Sequence, residues 1–341
     1  MMKFPLILAA KFIDKFFPRH TTADLSLFPA TLVIREKYAV LHTVLLLAVA
    51  GLFSSCTTFR PTSEDSLQLR LEQLVGGFRG DVGIYVRNLR SGETASIRAD
   101  SLYPTASMIK VPILIKTYDA IETGTLDSTQ ELVYRDSLYY PGVDLLGSFK
   151  DGEKIQLRKA AFLMTALSDN TASLWLQHLC GGGESINRWL SDHGFEATRM
   201  NSRTEGRRRF WDIYGWGQTS PREMAELMVM IRNGEAVSRE ADEEMYRLLS
   251  KSYWDDRALS QIPPSVAVAS KQGAVDRSRS EVALVHAPNG DYVFSVITKN
   301  QEDESWTPDN EGFVLLQRVS ALLWKHFEPS YEWEPAARYS E

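Results

Sequence analysis

The chain has 341 residues, a formal net charge of −6, 44% apolar and 24% charged residues, the make-up of an ordinary globular protein. That length leaves room for one large domain or two modest ones whose core folds without staples. The acidic balance excludes a nucleic-acid binder, which needs a basic footprint to neutralise phosphates; Arg207-Arg208-Arg209 is too short to reverse it and reads as solvated loop charge.

Taken in chain order, residues 1–34 precede any recognisable element and read as an extension from a mis-set translation start, because an export signal normally begins close to the N-terminus. Residues 35–56 form the signal segment. Arg35 and Lys37 stand before an apolar run from Ala39 to Phe53, too short to span a bilayer, and Ser54-Ser55-Cys56 closes it. The ending Leu52-Phe53-Ser54-Ser55-Cys56 resembles a bacterial lipobox, which implies acylation of Cys56, a membrane lipid anchor and a cell-envelope location; Phe53 departs from the usual small aliphatic residue. An uncleaved anchor helix is the alternative. Residues 57–65 are a polar tether.

Leu67–Leu74 repeats apolar residues at helical spacing. Val82–Val86 and Ala95–Ile97 read as strands joined by a turn at Arg90-Ser91-Gly92. Helices are predicted over Ser107–Glu122, Leu157–Leu167, Thr171–Leu179, Ser185–His193 and Pro221–Ile231, the last with Ser220 as N-cap and Pro221 in first place. Strands return at Val266–Ala274, Glu281–His286 and Tyr292–Thr298, the latter two joined by Pro288-Asn289-Gly290-Asp291. An amphipathic helix over Gly312–Phe327 closes the domain before a tail over 328–341. The pattern predicts an α/β protein of the α+β type, with an antiparallel sheet built from both chain ends and a helical subdomain (about 105–232) inserted between. Cys180, inside an apolar helical stretch, reads as a packed core thiol. The histidines His178, His193, His286 and His326 are scattered without metal-ligand spacing, and Gly181-Gly182-Gly183 lacks the Lys-Ser/Thr of a phosphate loop. Trp211, Tyr214 and Trp216 either pack within their loop or line a cleft edge.

Three motifs carry chemistry. In Ala106-Ser107-Met108-Ile109-Lys110, a helix starting at Ser107 puts Lys110 on the same face. A serine hydroxyl needs a nearby base, and a desolvated lysine can be that base. Alone, this match is expected about once by chance in such a chain. Ser168-Asp169-Asn170 offers a hydroxyl to relay a proton and an amide to hold a carbonyl, or is merely a helix cap. Lys271-Gln272-Gly273-Ala274, on a strand, offers a cation for a carboxylate, with Gly273 admitting a close substrate backbone.

In this order, Ser-x-x-Lys, Ser-Asp-Asn and Lys-x-Gly resemble the serine β-lactamase and penicillin-binding protein superfamily, closest to class A, over about residues 66–327. Gln218-Thr219-Ser220-Pro221 is similar to the start of the helix after the class A omega loop. The resemblance implies a β-lactamase/transpeptidase-like fold with a five-stranded sheet. It also implies Ser107 as acylated nucleophile, Lys110 as its proton partner, Ser168 as proton donor to the leaving nitrogen, and Asn170 as a ligand of the substrate amide. Lys271 would anchor a carboxylate with Gln272 beside it and Arg279 as second anchor, and the N–H groups of Ser107 and Ala274 would form the oxyanion hole.

Two departures stand out. Gln272 replaces the usual hydroxyl residue, and Glu205 occupies the approximate place of the class A glutamate that activates the deacylating water, without the Leu-Asn that normally follows. Loop charge is the other reading of Glu205, and a surface strand charge that of Arg279. The expected activity is β-lactam hydrolysis; the alternatives are a D,D-peptidase-like penicillin-binding enzyme, or a wall-peptide binder that deacylates slowly or not at all. The expected substrate is a β-lactam or D-alanyl peptide, and the expected state a monomer without cofactor or metal.

Overall fold

The computed structural model describes residues 66–335. The predicted extension, export segment with Cys56 and tether lie outside them. Helix α1 (Leu67–Val75) starts on Ser66, whose hydroxyl accepts from Leu69 N–H. Strands β1 (Asp81–Asn88) and β2 (Thr94–Ile97) form the first hairpin. Strands β8 (Val268–Val275), β9 (Ser278–Val285) and β10 (Tyr292–Lys299) follow the helical block. Together these make a five-stranded antiparallel sheet in the order β2-β1-β10-β9-β8. The N-terminal hairpin completes a sheet begun by C-terminal strands, as the sequence pattern predicts.

Period-2 alternation splits each strand between two cores. Ile84, Val86, Phe294 and Val296 face α1 and the final helix α9 (Glu311–Phe327), while Tyr85, Val282, Val293 and Ile297 face the helical block. With both faces covered, β9 is buried along its whole length.

Within the block, a 3-10 turn at Ala106–Ile109 runs straight into α2 (Lys110–Glu122). After the short strands β3 (Tyr103–Pro104), β4 (Glu131–Val133) and β5 (Lys154–Gln156) comes α3 (Leu157–Phe162), which continues as a π-helical turn over Leu163–Leu167. Helices α4 (Asn170–Leu179) and α5 (Gly182–Asp192) follow. Next come β6 (Arg199–Met200), α6 (Arg208–Tyr214), β7 (Gly217–Thr219), α7 (Pro221–Asn233) and α8 (Arg239–Leu249). Ser220 caps α7 through Glu223 N–H, with Pro221 at the first position, as the sequence indicates.

Helices α6 and α8 are absent from the sequence-based assignment. Helix α8 has a legible signal in Ser238, an N-cap to Ala241 N–H, and in apolar Ala241, Met245 and Leu249 at helical spacing; its many charges mask it. Helix α6 buries no residue and has no such stripe. Among the described residues, no helix is long and apolar enough to cross a membrane.

Candidate active site

The turn before α2 is strained where the chemistry converges. Ala106 adopts a left-handed φ of 44°, which a non-glycine residue holds only when its surroundings enforce it. Two close approaches do so. A Cβ on Gly273 would sit 2.7 Å from the Thr105 carbonyl oxygen and 2.9 Å from Ala106 Cβ, and a Cβ on Gly217 would sit 2.4 Å from Ile109 Cδ1. Both glycines let strands, β8 and β7, press against the turn bearing Ser107. Gly273 thus serves an approach of protein backbone to protein backbone.

Lys110 follows one turn after Ser107 and is wholly buried, because α2 is apolar almost all round. Its Nζ lies 3.1 Å from Ser107 Oγ, 3.0 Å from Ser168 Oγ, 2.6 Å from the Ser168 carbonyl and 2.8 Å from Asn170 Oδ1. Burial holds the Lys110 ammonium well below the ordinary lysine pKa; the Lys271 charge adds to this and Asp169 opposes it. The Ser168 carbonyl and Asn170 Oδ1 can only accept, so a neutral amine that gives each of them one N–H has its lone pair free for a hydroxyl proton. The orientation of Asn170 is set by its Nδ2, which donates to the Pro141 carbonyl at 3.3 Å.

Ser168 ends the π-helical turn in a left-handed conformation, φ 65° and ψ 31°. Its Oγ bridges the two lysines, 3.1 Å from Lys271 Nζ. Lys271 is buried, and desolvation lowers its pKa to about 7 against the raising effect of Glu281. Between Ser168 and Asn170, Asp169 plays the cap: one oxygen accepts from Ala172 N–H at 2.7 Å, the other from Leu145 N–H at 2.6 Å and Leu146 N–H at 3.0 Å. The motif is therefore helix cap and polar site at once, divided among its three residues.

Ser107 opens onto a cleft of about 780 Å³. One wall is Ala274–Ser278 with Lys299 and Asn300; another is Trp211–Trp216 with Tyr140. The three aromatic residues singled out in the sequence therefore line the cleft. Trp216 stacks edge-on against Tyr140 with centroids 5.1 Å apart and lies 5.9 Å from Lys110 Nζ.

Ser107, Lys110, Ser168, Asn170 and Lys271 are thus brought together through direct contacts, and Ala274 joins them on the cleft wall. Three predicted residues are not. Gln272 is half-buried, does not line the cleft, and points to the face of β8 opposite Lys271. Arg279 is fully buried. Its guanidinium donates to the carbonyls of Val275, Ser278 and Ser305 at 2.6, 3.0 and 2.7 Å and stacks on Trp306 and Phe313, tying a hairpin to a loop. Arg277, two residues earlier, is the arginine on the wall. Glu205 is exposed, with its backbone N–H bonded to Glu184; α6 and the turn after it give the cleft residues 211–216 instead. Among the described residues, no group of His, Cys, Asp or Glu could hold a metal ion. Buried Cys180, its thiol pKa pushed up to about 12, is a core residue as predicted.

The chain is similar to known proteins in fold and in sequence. PBP-A superposes with a TM-score of 0.69 at 27% identity, covering 77% of this chain and 96% of that one, and a variant of PBP-A has been solved as an acyl-enzyme complex with penicillin G. A β-lactamase from Sphaerobacter thermophilus superposes with a TM-score of 0.68 at 23% identity, over 76% of this chain and 96% of its own. In sequence, the VEB-1 β-lactamase of Pseudomonas aeruginosa is 20% identical over 294 residues, 83% of this chain and 97% of that protein. The model of the β-lactamase enzyme family matches residues 66–327. The chain belongs to the β-lactamase enzyme family.

Proposed function

We propose that this protein is a serine hydrolase that opens β-lactams through an acyl-enzyme on Ser107. The observation that carries the reading is the contact of buried Lys110, its pKa lowered by desolvation, with both Ser107 Oγ and Ser168 Oγ. Lys110 takes the Ser107 proton as Oγ bonds to the lactam carbonyl carbon. The N–H groups of Ser107 and Ala274 hold the oxyanion. The carbon–nitrogen bond breaks and the nitrogen takes a proton through Ser168, supplied from the lysines it bridges. Lys271 pairs with the substrate carboxylate while Asn170 holds the side-chain amide. Water then cleaves the ester and restores Ser107. The acyl-enzyme of PBP-A with penicillin G supports the covalent step. The domain works outside the cytoplasm, held to a membrane through an acylated Cys56.

One observation favours a second reading, a D,D-peptidase-like enzyme whose penicilloyl ester persists. The cleft carboxylates among the described residues are Asp212, ion-paired to Arg208 at 3.1 Å, and Asp276, while aromatic Trp216 stands beside Lys110. Following the protein mass during incubation with penicillin G separates the two. A transient adduct with drug turnover indicates the hydrolase, and a lasting one the peptidase-like enzyme. Lys110→Met abolishes the adduct, and in the native protein acylation slows as pH falls through the lowered pKa of Lys110. No adduct at any time, or one that survives Ser107→Ala, refutes both.

A further inference from the structure

We infer that the segment Trp211–Trp216 is a specificity wall that selects substrates whose acyl group carries a bulky aromatic or apolar substituent. The inference rests on the reading of Ser107 as nucleophile and goes beyond it, since the reaction itself does not require this wall.

The two sides of the cleft differ in kind. Arg277 and Lys299 stand on the β8–β10 side, where a substrate carboxylate belongs. On the other side Trp211, Ile213, Tyr214 and Trp216 come from α6 and the turn after it. Ile213 is 60% exposed and Trp211 is half-buried, so both present apolar surface toward solvent in the open cleft. Helix α6 buries none of its residues, so no core explains this composition. Its one acid on the cleft, Asp212, is turned to Arg208 by an ion pair, which leaves the aromatic surface without an unpaired charge.

The wall is also held in place. Trp216 carbonyl accepts from Asn201 N–H at 2.8 Å and Ser202 N–H at 2.9 Å, and Trp216 is braced by Tyr140. Gly215 turns the chain between α6 and Trp216 with φ 66° and ψ −138°, a conformation reserved for glycine. Arg207, just before α6, binds Asn201 Oδ1 and Gln218 Oε1, both at 2.8 Å through one nitrogen, and lies 3.9 Å from the Phe210 ring. An apolar surface beside fixed polar groups is how pockets select a ligand and orient it. A ring on the substrate's acyl arm, lying over Trp211 and Ile213, displaces water from both; a small or charged arm leaves that surface wet or pays to bury its charge.

The test compares acylation of the intact protein by penicillin G, which carries a phenylacetyl arm, and by 6-aminopenicillanic acid, the same nucleus with a bare amine. Second-order rate constants come from the mass of the Ser107 adduct. The ratio is expected to be at least tenfold in favour of penicillin G. It is expected to fall at least threefold in Ile213→Ser, an exposed position whose change does not threaten the fold, and further in Trp211→Ala. Tyr253→Ala, an exposed aromatic outside the cleft, keeps the ratio. A native ratio near one, or a ratio unmoved by Ile213→Ser and Trp211→Ala, overturns the wall while leaving the nucleophile intact. Absence of an adduct with either compound removes the nucleophile and the wall together.

Discussion

Replacing Gly273 with alanine tests the claim that strand β8 is pressed against the nucleophile turn by design. The new Cβ meets Thr105 oxygen and Ser280 Oγ at 2.7 Å each and Ala106 Cβ at 2.9 Å. None of these yields easily: one is backbone, one belongs to a strained residue, and Ser280 Oγ already donates to the Gly273 carbonyl at 3.1 Å. Ordinary contact needs about 3.5 Å, so β8 and the turn have to part by about 0.6–0.8 Å. The overpacking is expected to cost about 1–3 kcal/mol of stability. Its larger effect falls on chemistry, because the next residue, Ala274, is the proposed second donor to the oxyanion. Loss of one such donor typically lowers the rate by about 10²–10³-fold. Urea unfolding and the adduct rate with penicillin G, measured on the same preparation, read both effects. A variant that loses stability but acylates at the native rate refutes the positioning role of Gly273.

Two further perturbations probe groups whose roles the structure alone reveals. Asp169→Ala removes the cap on α4 and strands the Leu145 and Leu146 N–H groups; a capping loss of about 1 kcal/mol plus about 1 kcal/mol or more for each of the two stranded donors predicts about 3 kcal/mol or more of destabilisation, and a loss below about 1 kcal/mol in urea contradicts it. Glu281 is fully buried, with one carboxylate oxygen accepting from Ala258 N–H at 3.1 Å and the other unpartnered; burial raises its pKa to about 8. A carboxyl raised in the folded state contributes stability that is complete below its unfolded pKa, near 4.3, and lost as pH rises through about 8. Glu281→Gln is therefore expected to gain on the native protein between pH 6 and pH 9 in urea unfolding, and parallel curves at the two pH values sink the assignment.

The legible parts of this protein were those written in short-range periodicity and composition. Alternation at Val82–Val86 and Tyr292–Thr298, and helical spacing at Gly312–Phe327, place strands and helices because burial of one face imposes its period on the sequence whatever lies opposite. The Ser107–Lys110 spacing likewise fixes a contact, since one turn of helix decides it locally. Helix α6 and the fate of Glu205 were hidden, because an exposed segment carries no periodic burial to read.

Position along the chain also misled for Arg279, which lies on the strand beside the third motif but turns its guanidinium into a cage of carbonyls and rings. Which side of a hairpin a long side chain serves depends on what packs there, and that is a property of the assembled fold. The sequence by itself determined the sheet-and-helix framework, the order of the three motifs and the lysine poised one turn after Ser107. Only the tertiary structure decided that Ser168 bridges two buried lysines, that Gly273 and Gly217 clamp the nucleophile turn, and that aromatic residues, with no buried carboxylate among them, form the wall facing it. These are contacts between residues 58 to 168 positions apart, and local periodicity carries no record of them.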